Sequence, residues 1–192
     1  MARPLQLNPD RLFPAEAATR AVARRLYGAV KDLPIISPHG HTDPEWFATD
    51  APFANAAELL LAPDHYLYRM LYSQGVRLED LGVPSRKGPS SADPRAAWRI
   101  FAANQHLFRG TPSAMWLGHV FAEVFGFDVA LKTATADLYY DRINEALTSP
   151  GFRPRVLFER FNIELLATTE SPTDPLKHHK AMRASGWKGR VV

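Results

Sequence analysis

Two histidines separated by a single glycine, His39-Gly40-His41, are the residues of this 192-residue chain best suited to chemistry. They follow a short apolar run, Leu33-Pro34-Ile35-Ile36-Ser37, that reads as a strand. In extended backbone, residues two apart point to the same side, so the two imidazoles stand together and can share one cation. Imidazole suits zinc, iron, nickel or manganese, and carboxylates would complete the shell. Gly40 lets the backbone approach a neighbour closely. The competing reading is a pair of surface loop histidines, since His-x-His is short enough to recur by chance. Asp43 is either a further ligand or a cap beside Pro44.

A second group is Asp64-His65-Tyr66, with Arg69 three residues after the tyrosine. Pro63 and Asp64 mark a helix start, which places His65, Tyr66 and Arg69 in its first turn and a half. Histidine moves protons near neutral pH, a phenol can donate to a developing oxyanion, and helix N-termini favour anions. Alternatively, Tyr66, Leu67, Met70 and Leu71 form a packing face. A third group, Thr168-Thr169-Glu170-Ser171-Pro172-Thr173-Asp174, follows a second apolar run. It offers hydroxyls and carboxylates to a site, or caps to the next helix through Ser171 or Thr173. His106 and His119 fall on aromatic-rich helices. His178-His179 is expected on a helix surface, because adjacent helical residues face apart.

The elements that must position these groups are well punctuated by 16 prolines and 11 glycines. A helix is expected over 10–31, with Ala18, Val22, Leu26 and Val30 on one face. The strand Leu33–Ser37 follows. From Glu45 to Asn162 the pattern is almost entirely helical. Helices are expected over 63–72 and 94–108, the second with Trp98, Phe101, Ala102 and Gln105 on one side. Another starts at Pro112 behind the cap Thr111, stops before Gly126, and carries a stripe of Trp116, Val120, Phe121 and Val124. Thr135 can cap a helix bearing Tyr139, Ile143, Ala146 and Leu147, and Pro154 opens a short one ending near Asn162. Ile163–Thr169 is a strand candidate, 172–185 a helix, and Arg190-Val191-Val192 the start of a third strand.

Strands alternating with helices point to an α/β fold with a parallel sheet. A closed (β/α)8 TIM-type barrel takes about 250 residues, so this chain would supply its opening portion, two to three strands. Residues 1–192 then form the N-terminal part of one barrel domain, with 45–162 a large helical insertion between strands 1 and 2.

Composition narrows the function classes. The chain is 46% hydrophobic and 22% charged, enough for a real core and too apolar for disorder. It has no cysteine, which excludes thiol catalysis, disulfide scaffolds and cysteine-ligated metal, so any metal site must use His, Asp and Glu. A net charge of +3 is small, and the basic runs at 20–25, 153–160 and 177–190 are interrupted at helical spacing. They read as solvated helix faces, and no nucleic-acid partner is expected. No membrane span and no secretory h-region are expected, which favours the cytoplasm. Dinucleotide, P-loop and nucleophile-elbow motifs are missing.

Ser37-Pro38-His39-Gly40-His41, then Asp64-His65-Tyr66 with Arg69, then Thr168-Thr169 after Asn162-Ile163-Glu164, resemble the uronate (glucuronate) isomerase family of the amidohydrolase superfamily. The resemblance runs from about Leu5 to Val192 and covers the N-terminal part of the family's barrel. It implies a distorted TIM barrel and reversible aldose–ketose isomerisation through an enediolate, D-glucuronate to D-fructuronate and D-galacturonate to D-tagaturonate. It implies a divalent metal, zinc being the expected one, on His39 and His41. It makes His65 and Tyr66 catalytic and assigns Arg69, Thr168 and Thr169 to the hexuronate substrate. The family's carboxylate-binding arginine and its late-strand aspartate would lie beyond Val192. The chain alone is therefore expected to be inactive, to bind metal weakly, and to exist as a homo-oligomer or paired with the remainder of the barrel. Two rivals stand beside this reading: a metal-dependent hydrolase of the same superfamily, and a non-catalytic helical interaction domain.

Overall fold

The computed structural model describes residues 4–192 except Lys87 and Pro89. The first helix, α1 (Ala17–Val30), starts at Ala17 and not at Asp10. Glu16 is its cap, accepting from the Ala18 and Thr19 amides. Ahead of it, Pro14 disfavours helical backbone at Phe13, and Arg20 donates to the Pro14 and Ala15 carbonyls. The expected apolar face of α1 exists in sequence, yet no residue of the helix is buried.

Strand β1 (Ile35–Ser37) is shorter than its apolar run, because the Leu33 amide closes a turn on Val30 and Pro34 has no amide to give. Then come α2 (Pro44–Thr49), α3 (Ala56–Leu60) and α4 (His65–Ser73), capped by Asp43, Asn55 and Asp64. Helix α5 (Pro94–Ala103) stops short of Phe108, since Asn104 folds its amide and side chain back on Ile100 and a 3-10 turn, Gln105–Phe108, follows. Helix α6 (Pro112–His119), capped by Thr111, runs into a π-helical turn, Val120–Val124, that ends before Gly126 at φ +69°. Helix α7 (Ala136–Thr148) is not capped by Thr135, whose hydroxyl instead serves the preceding turn by accepting from the Lys132 amide. Helix α8 (Pro154–Arg160), strand β2 (Ile163–Leu166), helix α9 (Lys177–Ala184) and strand β3 (Arg190–Val191) complete the order. Pro172 and Pro175 delay α9, and Asp174, not Ser171 or Thr173, takes the Leu176 amide.

Two compact units result. One comprises Phe53–Thr148 with the N-terminal stretch up to Pro9. Its core is built on α5: Trp98 and Phe101 are fully buried, with Leu67, Leu71, Tyr139 and Ile143. The Trp98 indole donates to the Ala136 carbonyl at 3.0 Å, and Tyr139 stacks on Phe127 at 3.7 Å. Leu117 on α6 and Phe121 in the π-helical turn after it, four apart, are buried. Trp116, expected in the stripe, is 63% exposed, since a neighbour of Leu117 sits about 100° round the helix.

The other unit, Asp10–Pro52 with Ser149–Val192, holds a parallel sheet in the order β1-β2-β3. Ile35 pairs with Ile163, Ser37 with Leu166, and Leu166 with Val191, with a bulge between Ile35 and Ile36. Phe47, Phe158, Leu166 and Met182 form its core, with Trp187 stacked on Phe47. Arg155 departs from the expected solvated face. Its guanidinium donates to the Phe47 and Ala48 carbonyls near the end of α2, where the last turn leaves acceptors unpaired. The parallel α/β class read from the sequence holds. No helix among the described residues is long and apolar enough to cross a membrane.

Candidate metal centre and its surroundings

The sheet unit presents His39 and His41 just beyond the end of β1. Both are exposed, and their Nε2 atoms face each other at 3.0 Å with the rings nearly perpendicular. Two nitrogens bound tetrahedrally to zinc at 2.0–2.1 Å would stand about 3.3 Å apart. The pair therefore fits one zinc-like cation with little movement. Among the described residues, no group of three or more His, Asp or Glu stands together as a metal cage. Asp43 is the cap of α2, accepting from the Glu45 amide at 2.8 Å.

The loop carrying the pair is tied to the neighbouring strand. The last ladder bond runs from the Ala167 amide to the Ser37 carbonyl at 2.8 Å. Past it, the Ser37 hydroxyl donates to the His39 carbonyl at 3.2 Å and the Thr169 hydroxyl to the Gly40 carbonyl at 2.7 Å. Gly40 lies so close to β2 that a Cβ there would sit 2.8 Å from the Ala167 carbonyl oxygen.

Thr168 and Thr169 follow β2 and face different partners. Thr168 contacts the His179 Nε2 at 2.9 Å and Glu170 at 2.8 Å, while its amide donates to the Val192 carbonyl. His179 is 4% exposed, which corrects its expected surface position. It shares the inward face of α9 with Met182, three residues on, and that spacing was the signal available in the sequence. Its neighbour His178 lies 3.9 Å from Glu45. A cavity of about 460 Å³ lies here, lined by His41, Thr169, Glu170, His178 and His179 among others. That volume falls within the range of small-molecule sites.

The helical unit holds the remaining candidates at the start of α4. The Asp64 carboxylate accepts from the Tyr66 and Leu67 amides at 2.8 and 3.2 Å. Leu67 and Leu71 are buried, whereas Tyr66 is 63% exposed. The packing face is thus the leucine pair, and the phenol is left out of it. The His65 and Tyr66 rings lie 4.1 Å apart, and Arg69 is exposed one turn later.

Comparison with known proteins bears on the family and the fold. A family model described as glucuronate isomerase matches residues 15–191. The uronate isomerase of Phenylobacterium zucineum is 79% identical over the whole chain, which covers 40% of that relative. That of Caulobacter vibrioides strain NA1000 / CB15N is 64% identical, again over the whole chain and 39% of the relative. The crystal structure of glucuronate isomerase from Caulobacter crescentus superposes with a TM-score of 0.96 at 63% identity, over 99% of this chain and 40% of that one. A uronate isomerase structure from Thermotoga maritima shares the fold, at TM-score 0.81 and 24% identity, over 97% of this chain and 38% of that one. The chain spans about 40% of the length of the relatives it matches. With the matched region running nearly end to end, the chain belongs to the glucuronate isomerase family.

Proposed function

We propose that the full-length protein is a uronate isomerase that interconverts D-glucuronate with D-fructuronate and D-galacturonate with D-tagaturonate. The observation that carries this reading is the facing His39 and His41 pair at the end of β1, in a chain 79% identical to a uronate isomerase. The architecture that goes with it is a (β/α)8 barrel, of which β1, β2 and β3 are the first strands and residues 45–162 a helical insertion. In such barrels the site lies at the C-terminal ends of the strands, where both the histidine pair and the threonine pair are found. The reading also carries a cytoplasmic setting, a homo-oligomeric or barrel-completed assembly, and no nucleic-acid or membrane partner.

His39 and His41 would hold the divalent metal, zinc by its fit to two imidazoles. When bound, the metal supplies Lewis-acid polarisation of substrate oxygen. The chain's own residues would do the rest. Isomerisation removes the proton at C2 and delivers one to C1 through an enediolate. Tyr66, with its phenol clear of the core, donates a hydrogen bond to the developing oxyanion. His65, whose ring lies beside it, takes up and returns a proton near neutral pH. Arg69 adds a fixed positive charge for an anionic sugar, and Thr169, which lines the cavity, would contact the substrate with Thr168 beside it.

The test is ketose formation by the full-length protein from D-glucuronate and D-galacturonate, followed by NMR. Turnover is expected with at least one sugar and should fall about 100-fold or more in His65→Ala, the usual scale for a lost acid–base group. Tyr66→Phe should fall as well. No conversion of either sugar by folded, metal-loaded protein would overturn the reading.

A further inference from the structure

We propose that Thr169 is a positioning residue, whose hydroxyl, bound to the Gly40 carbonyl, holds His39 and His41 at the spacing a single divalent cation needs. The inference rests on the metal reading above and gives Thr169 a task apart from substrate binding.

The argument begins where the sheet ladder ends. After the Ala167 amide meets the Ser37 carbonyl, no further ladder bond fixes the β1 backbone against β2. The histidines come immediately afterwards, in backbone that a bare loop would leave free. Two side-chain hydroxyls take over. The Ser37 hydroxyl fixes the peptide between His39 and Gly40 by donating to its carbonyl. The Thr169 hydroxyl fixes the peptide between Gly40 and His41 in the same way, at 2.7 Å. Both peptide planes flanking Gly40 are then set, and with them the directions from which the two imidazoles leave the backbone.

The contact is specific to its residues. A threonine hydroxyl has one proton, and here it points at a backbone acceptor 129 positions away in sequence. Gly40 must be bare for β2 to come this near, since any Cβ would press on the Ala167 carbonyl. Thr169 therefore acts across the strand pair on the ligand loop, much as outer-shell partners fix the orientation of metal ligands elsewhere.

Zinc affinity of the full-length protein, measured by competition with a chelator, tests this without reference to turnover. Thr169→Val keeps the branched shape and removes the hydroxyl, and should weaken zinc binding about tenfold or more, the scale seen for lost outer-shell contacts. Thr169→Ser restores the hydroxyl and should restore affinity. The cobalt-substituted protein should show an altered visible spectrum in the valine variant and a parental one in the serine variant. If the valine variant does not fold, Thr169→Ala makes the same deletion with less bulk and should show the same loss. Equal affinity in parent and valine variants overturns the proposal. So does equal loss in valine and serine variants, which would mark a packing effect. Failure of the metal reading itself looks different: the parent would bind zinc no tighter than a His39→Ala/His41→Ala variant, and the proposal would fall with it.

Discussion

Gly40 shows how much can hang on the absence of one carbon. The backbone just past β2 crowds the place where its Cβ would be, with the Ala167 carbonyl oxygen 2.8 Å away, and a backbone carbonyl cannot rotate away as a side chain can. Gly40→Ala must push the histidine loop off β2 and stretch the Thr169 contact. Overpacking of this kind costs about 1–3 kcal/mol. A thermal melt of the full-length protein should show the loss, and zinc affinity should fall further than in Thr169→Val. An alanine variant that binds zinc like the parent would show that the loop needs no close approach. The His39–His41 pair was legible in the sequence as a spacing, but both residues lie past β1 in loop backbone, where the Ser37 and Thr169 hydroxyls and not a strand's period of two hold the chain. The role of His179 was not. Adjacent histidines on a helix face apart whichever one is buried, so the rule could not say that His179 turns inward to Thr168. The three-residue spacing to Met182 was the available hint, and the polar contact that goes with it is to Thr168, eleven residues earlier and just past β2.

At the scale of elements, some caps were legible where a short polar side chain precedes an apolar-periodic run, though Thr135, Ser171 and Thr173 fit that description and cap no helix. Asp43, Asp64 and Thr111 all begin the helices they were expected to begin. The start of α1 was missed because Asp10 looks like a cap but is held in a turn, with Arg20 and Arg24 drawn onto its carboxylate. The true cap, Glu16, has a testable signature. The Ala18 amide, then the Thr19 amide, then the Thr19 hydroxyl hold its carboxyl below the usual carboxylate range. A carboxyl whose value is depressed by folding stabilises the helix fully above its unfolded value. That stabilisation is lost as pH falls through the folded value. Amide exchange at Ala18 and Thr19, corrected for intrinsic rates, should therefore speed up on acidification before the rest of α1 loosens. Glu16→Gln should remove the dependence, and a protection profile unaffected by acid in the parent would contradict the cap.

At the scale of the whole molecule, the chain leaves apolar surface uncovered. Leu26 is 68% exposed on α1, and Val22, Tyr27 and Val30 stand out with it. Ile35 and Ile36 of β1 are half exposed or more. Among the described residues β1 and β3 are the two edges of the sheet, each with an unpaired side. Scattered apolar residues on a surface need no explanation, but a helix with no buried residue and an apolar face does. The edges are partly blunted, by Pro34 and the bulge at β1 and by Arg190 at β3, so the α1 face is the stronger drive to association. A polypeptide of residues 1–192 expressed by itself should therefore self-associate, and light scattering should report masses above 21.5 kDa that rise with concentration. Leu26→Lys, which puts a charge in the middle of the α1 face, should lower the association without changing the helix content. A monodisperse monomer of the parent polypeptide across that concentration range would show that the exposed face and the sheet edges do not drive association.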